Sequence, residues 1–340
     1  MTPAHQNLRQ PATDQPQFRV IAVGCGRAFE RLHLPAIQLT PACRLVAAVD
    51  PRPARRTWVR ARCPNIPTFV DVNEVPLDGA DGMLIAAPAA THADLTHAAL
   101  QRGLAVLVEK PFTLSAATAR QLAVNSAQRG QVVRVGYNRR FRTGYRRLRH
   151  HRPARAELRS IRSVISTSPA RWDALSGPIA SDARVGGVLD DLASHHLDLL
   201  AWIVGRPIRR VQAVAVSGGV FHLNLDFGEL VADCEVSHGP KYRERLEFVT
   251  SEGRQTVDLS GPAAMFEASV QRLLGRPSPT VQSTVAQLAS WIAAARGDRD
   301  ETGADAAAGV RCVALVEACR RSLQAGGWIE PELQPMELPA

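Results

Sequence analysis

The sequence predicts an α/β protein: an N-terminal doubly wound parallel sheet, then an α+β portion built on a large, mainly antiparallel open sheet. Three observations carry this. Short, almost continuous apolar runs alternate with helix-like stretches from Phe18 to about Gly136, as parallel strands covered on both faces require. A glycine pair, Gly24 and Gly26, follows the first run directly. After about residue 140 the pattern changes to apolar–polar alternation broken by FG, SEG and SGG turns, which is the mark of antiparallel strands.

The predicted parallel strands are FRVIAV, RLVAAV, GMLIAA, LAVLVE and QVVRVG. Between them, DLTHAALQRG and LSAATARQLAVNSAQRG carry apolar residues at helical spacing and end in glycine, as a helix C-terminus does. Strand, helix, strand in repetition implies right-handed crossovers. Farther on, SIRSVIST reads as a strand and Val188 to Val204 as a helix. RRVQAVAVSG, VFHLNLDFGELVADCEVS and ERLEFVTSEGRQTVDLS read as the antiparallel strands, with a hairpin at Gly228. Thr280 to Ala325 returns to alanine-rich helix. The expected organisation is a disordered leader over 1–17, a first domain over 18–138 and a second over 139–330, each with its own core.

Composition narrows the class. Hydrophobic residues make up 45% and charged residues 21%, ordinary for a soluble globular chain. The net charge is +9, and of the 41 basic residues only Lys110 and Lys241 are lysine, which leaves 39 arginines. The densest cluster, Arg139 to Arg159, lacks interleaved aromatics and any helix-turn-helix or zinc-finger spacing. It reads as a basic connector near an anionic cofactor or a partner subunit, and no specific nucleic acid is expected. The six cysteines form no CxxC pair and show no metal-ligand spacing. Free thiols in a reducing cytoplasm are expected, with no metal. No run of about 18 apolar residues is present, so no membrane span is expected.

Two stretches carry chemistry. In RVIAVGCGRAF the glycines would let backbone N–H groups approach a pyrophosphate at a helix N-terminus. Asp50 closes the next strand, where a carboxylate suits the adenosine ribose hydroxyls. It favours NAD, while Arg52, Arg55 and Arg56 could pair with the 2′-phosphate of NADP. In VLVEKPF, Lys110 ends a strand at the sheet edge that lines the ligand crevice. An arginine-biased chain that keeps a lysine there needs lysine chemistry, because arginine holds its proton and lysine is a compact ammonium. Glu109 is its orienting neighbour or a structural cap. In GGVLDDLASHHLDLLAWIVG, Asp191, His195 and Asp198 lie four and three apart, so a regular helix sets them on one face. A carboxylate beside an imidazole raises its proton affinity, which makes an acid–base unit. His196 points elsewhere and reads as structural, and Leu192, Leu197, Leu199 and Leu200 read as core.

These stretches, with VGCGRAFERLHLPAI, AAPAATHADLTHAALQRGLAVLVEKPF and VGYNRRF, resemble the glucose–fructose oxidoreductase/inositol dehydrogenase superfamily, Gfo/Idh/MocA. The resemblance covers about residues 18 to 325. It implies an N-terminal Rossmann domain, NAD or NADP as cofactor, and oxidation or reduction of a carbinol carbon of a sugar or cyclitol. It places the catalytic set on Lys110, Asp191 and His195, and puts Asp198 at a frequent acidic position one turn later. Cofactor contacts fall on Gly24, Gly26, Arg27, Ala28, Asp50, Arg52, Ala87, Pro88, His92, Glu109 and Lys110. Substrate contacts fall on Lys110, Tyr137, Asn138, Arg139, Asp191 and His195. Ala193, Ala87 and Ala89 depart from common glycine, threonine and asparagine, respectively. A homo-oligomer, dimer or tetramer, is implied by the family. Competing readings are a non-catalytic dinucleotide-sensing regulator on the same scaffold, a sugar nucleotide as substrate, and a nucleic-acid-associated protein.

Overall fold

The computed structural model describes residues 16–76, 79–150, 158–167, 187–216 and 219–333. Most of the predicted leader, and residues 151–157 of the arginine-rich connector, lie outside the described residues. The first sheet begins with β1 (Phe18–Val23). A π-helical turn, Phe29–His33, runs into α1 (Leu34–Gln38). Then come β2 (Cys43–Val49), α2 (Pro53–Arg62), β3 (Thr68–Phe69), β4 (Gly82–Ile85), α3 (His92–Gln101), β5 (Ala105–Val108), α4 (Ala116–Gln128) and β6 (Val133–Val135). These strands pair in parallel in the order β6-β5-β4-β1-β2-β3. The order reverses between β4 and β1, and a crevice opens there at the carboxyl ends of the strands. β3 is the one strand of this group that the apolar runs do not announce; two residues are too short for a pattern.

After α5 (Thr143–His150) the chain builds the second sheet. It comprises β7 (Leu158–Thr167), β8 (Arg210–Ala215), β9 (Val220–Asp226), β10 (Val231–His238), β11 (Arg243–Thr250) and β12 (Gly253–Asp258). The order is β12-β11-β7-β10-β9-β8. Between β7 and β8 lie a second π-helical turn, Leu189–Ala193, and α6 (Ser194–Val204). The β9–β10 hairpin turns at Gly228, whose φ of +100° suits glycine. The sheet is mainly antiparallel, but its central pair, β7 and β10, is parallel. That pairing joins segments far apart in sequence, and hairpin reasoning does not reach it.

The C-terminal part consists of α7 (Pro262–Leu273), α8 (Pro279–Ala295), β13 (Ala304–Asp305) and α9 (Ala306–Ala325). It returns to the first sheet, where β13 pairs antiparallel with the β6 edge. Trp291 of α8 meets Phe18 edge-on at 5.1 Å. α9 packs on α4, α6 and β8. The two sheets share a core. One cluster runs from Ile21, Met83 and Val106 through Val310 and Leu315 to Ile161, Leu225 and Phe248, and so spans both sheets. A buried helix with small residues and β-branched valines can face two layers at once, and α9 does so. The other face of the parallel sheet holds a smaller cluster around Phe29, Leu84 and Trp291. Among the described residues no helix is long and apolar enough to cross a membrane.

Candidate active site

The loop after β1 brings its backbone close to the sheet and leaves part of it uncovered. Gly24 has φ +87°, and a Cβ there would lie 2.5 Å from the Ala87 nitrogen and 2.6 Å from the Ala86 oxygen. The loop therefore packs on the end of β4 with no room for a side chain. At Gly26 the nearest atom to a Cβ is the Arg52 Nη2, 3.6 Å away, so that face is open to close approach. Arg27 and Ala28 lead into the π-helical turn, whose amide end favours an anion. Asp50 ends β2 and is buried, accepting bonds from the Cys25 and Arg52 amides at 2.9 and 3.0 Å. The Arg52 guanidinium forks onto it with two bonds of 3.0 Å. Burial opposes the charge on Asp50, but these donors outweigh it and hold the carboxyl below its usual range. Arg55 turns to the Cys25 carbonyl and Glu30, and Arg56 to the carbonyls of Asp50 and Pro51. A glycine cradle with a carboxylate and a guanidinium beside it fits a dinucleotide.

At the end of β5, Glu109 accepts from the Lys110 amide at 3.2 Å and lies 2.7 Å from the Nε2 of His33. It braces the Lys110 turn. The Lys110–Pro111 bond is cis. His92 lies between the carbonyls of Pro111 and Ala87, 2.7 Å from its Nδ1 and 2.9 Å from its Nε2, and its single N–H donates to one of them. His92 thus ties this turn to the segment after β4, where Pro88 leads into the short turn Ala89–Thr91.

The Lys110 ammonium reaches the second half of the chain. It donates to the Asp191 carbonyl at 2.9 Å and to the Asp191 carboxylate. The other carboxylate oxygen faces the Nε2 of His238, at the end of β10, at 3.7 Å. Burial opposes a charge on Asp191. The ammonium and imidazole outweigh it and hold the carboxyl far below the usual range.

His195 lies in the first turn of α6 and does not form the acid–base unit expected from helical spacing. The π-helical turn takes Asp191 out of α-helical register, toward Lys110. Asp198 instead takes a fork from Arg140 at 2.8 and 2.5 Å, deep in the core. Among the described residues no carboxylate is hydrogen-bonded to His195. Burial, then the charges of Arg139, Lys110 and His196, push its pKa well below the ordinary value. The expected rise is replaced by a fall, and the ring is neutral at pH 7. Its Nδ1 is walled in and has no hydrogen-bond partner among the described residues. The Tyr137 ring stands edge-on to it, with centroids 6.3 Å apart.

Arg139 is placed by an ion pair. It forks onto buried Glu244 at 2.9 and 3.0 Å, with Tyr145 and Tyr242 donating to the same carboxylate. It shapes the floor of the site and its charge reaches His195, but two of its donors are already used. Asn138 begins the short turn Asn138–Phe141 beside it. His196 is structural as expected: it is buried, with Nδ1 against the Ser163 hydroxyl. Sequence reasoning missed His33, His238 and Glu244. For His238 the available signal was its place at the end of an alternating strand.

Residues 18–137 match the model of an oxidoreductase family with an NAD-binding Rossmann fold, GFO_IDH_MocA. The rhizopine catabolism protein MocA of Rhizobium meliloti is 28% identical over 314 residues, covering 90% of this chain and 95% of the relative. A myo-inositol dehydrogenase of Streptomyces leeuwenhoekii is 30% identical over 198 residues, 58% of either chain. Among solved structures, scyllo-inositol dehydrogenase of Lactobacillus casei with NAD(H) and scyllo-inositol superposes with a TM-score of 0.79 at 16% identity, over 93% of this chain and all of that one.

Proposed function

We propose that this chain works as a Gfo/Idh/MocA oxidoreductase, the family whose NAD-binding model its residues 18–137 match, and that its cleft oxidises or reduces a carbinol carbon of a cyclitol, sugar or sugar nucleotide, as the dehydrogenases it is similar to act on inositols. The single observation that carries this is the meeting of Lys110 from the first sheet with Asp191, four residues before His195, at the carboxyl ends of the parallel strands. When bound, the nicotinamide supplies the hydride acceptor or donor. Gly24, Gly26 and the amide end of the π-helical turn would hold the pyrophosphate of the dinucleotide, and Arg52, whose exposed guanidinium covers the buried and fully bonded Asp50, would meet the adenosine ribose. His195, neutral through burial and neighbouring cations, takes the proton of the substrate hydroxyl and returns it in the reverse direction. With Nδ1 walled in, the exchange is assigned to Nε2. Lys110 has three N–H groups. Two go to Asp191, and the third is aimed at the substrate oxygen as charge develops on it. A positioned acid–base group contributes about 10²–10⁴-fold in rate.

The same reading pairs the outward face of the second sheet, which exposes Val214 and Val231, with another copy of the chain. All six cysteines are free thiols, which supports a cytoplasmic setting. The test is a panel of cyclitols, sugars and sugar nucleotides with NAD⁺ and NADP⁺, followed by the absorbance of reduced nicotinamide. Turnover of at least one class, lost in His195→Ala, is expected. Cofactor binding without turnover of any class in either direction would sink the proposal and leave a dinucleotide-sensing regulator.

A further inference from the structure

We propose that His238 is a positioning residue of this centre: it pins Asp191 so that the Lys110 ammonium keeps one N–H aimed at the reacting oxygen. The inference deepens the reading above and rests on it. Three elements meet at one carboxylate. Lys110 comes from the end of β5, Asp191 from the π-helical turn before α6, and His238 from the end of β10. Lys110 takes one carboxylate oxygen and the backbone oxygen of Asp191, and His238 faces the remaining carboxylate oxygen at 3.7 Å. The side chains of Lys110, Asp191 and His238 are 14%, 23% and 12% exposed. They are therefore shielded enough for an ion–dipole contact to matter.

The distance is long for a hydrogen bond, and contacts of this kind often tighten in the complex with substrate. The support beneath His238 is rigid. β10 is an inner strand of the second sheet, hydrogen-bonded to β7 on one side and β9 on the other. Its last residue lies opposite Thr167, whose carbonyl accepts from the Gly239 amide at 2.9 Å. Asp191 itself lies on the π-helical turn that runs into α6, and only its carboxylate reaches out to the other two elements. Without a partner on its second oxygen the carboxylate can rotate about its side-chain bonds and carry the ammonium with it. His238 touches Asp191 and not the reacting atoms, so its effect is on aim and falls on kcat.

The chain's composition supplies a readout that needs no turnover. Lysine occurs only at 110 and 241. In a Lys241→Arg background, labelling by trinitrobenzenesulfonate, read by mass spectrometry on the peptide that contains residue 110, reports on Lys110 apart from the N-terminal amine. His238→Phe, which keeps the ring and removes the donor, is expected to speed that labelling by about threefold or more. It should lower kcat by about 10- to 100-fold, as a misaimed group does, with KM and cofactor affinity within about twofold. His238→Gln, which restores an N–H, should recover both readouts.

Unchanged labelling and kcat in His238→Phe would overturn the proposal. So would a raised KM at constant kcat, which marks a substrate contact, or a His238→Gln variant as impaired as His238→Phe. If His238→Phe fails to bind cofactor, His238→Ala is read on the same scales. If the parent chain turns over no carbinol, the labelling rates alone decide the role of His238, and the hydride-transfer reading falls separately.

Discussion

Lys110→Arg isolates the geometry of the ammonium from its charge. Lysine presents three donors in a tetrahedron, arginine a planar fork. Two of the Lys110 donors are committed to Asp191, one to its carbonyl at 2.9 Å and one to its carboxylate. A guanidinium would satisfy the same carboxylate with a bidentate pair lying in one plane. It would then have no donor aimed at the substrate oxygen, and at 14% exposure the site has little room for the longer side chain. The loss is that of one preorganised donor to a developing oxyanion, about 10²–10³ in kcat, or about 2.7–4 kcal/mol. Because the donor acts in the transition state, kcat and kcat/KM should fall together. Cofactor affinity, which the proposal assigns to Gly24, Gly26 and Arg52, should stay close to that of the parent. Initial rates with the best substrate of the panel, beside a fluorescence titration of the cofactor, measure both. A kcat within about threefold of the parent would refute the three-donor argument, since the full loss is about 10²-fold or more.

The two loop glycines should separate stability from binding. Gly24→Ala combines a positive φ with a backbone clash and should cost about 1–3 kcal/mol of stability, seen as a lower Tm. Gly26→Ala has open space for its Cβ; it should leave Tm unchanged and weaken cofactor binding instead. Acid should destabilise the fold in a defined window. Burial, with Arg139 nearby, lowers the His196 pKa from 6.5 to about 4, so the unfolded chain binds the proton more readily. The stability it contributes is fully present above pH 6.5 and is lost as pH falls toward 4, on the order of 2 kcal/mol between pH 7 and 5. Glu244 is held at about 2, against burial, chiefly by Arg139. Its contribution is present above pH 4.5 and is lost below that. Denaturant midpoints flat from pH 7 to 4 would contradict the His196 assignment, and midpoints flat from pH 4.5 to 2 would contradict that of Glu244.

Much of the architecture is local and was legible in the chain. Apolar runs such as FRVIAV and LAVLVE mark parallel strands because burial on both faces leaves no polar positions. Gly24 and Gly228 mark turns because their backbone angles exclude other residues. Lys110 stood out against 39 arginines because a compact ammonium is chemically distinct. What only the tertiary structure decided are the long-range pairings. Asp191 and Asp198 both looked like partners for His195 on an ideal helix. One extra residue per turn in Leu189–Ala193 sent the first to Lys110, while Arg140 claimed the second. His238, the Glu244 cluster, the parallel β7–β10 pair and the core shared through α9 join segments far apart in sequence. Periodicity shows which side of an element is buried, but the partner on that side is set by packing of the whole chain.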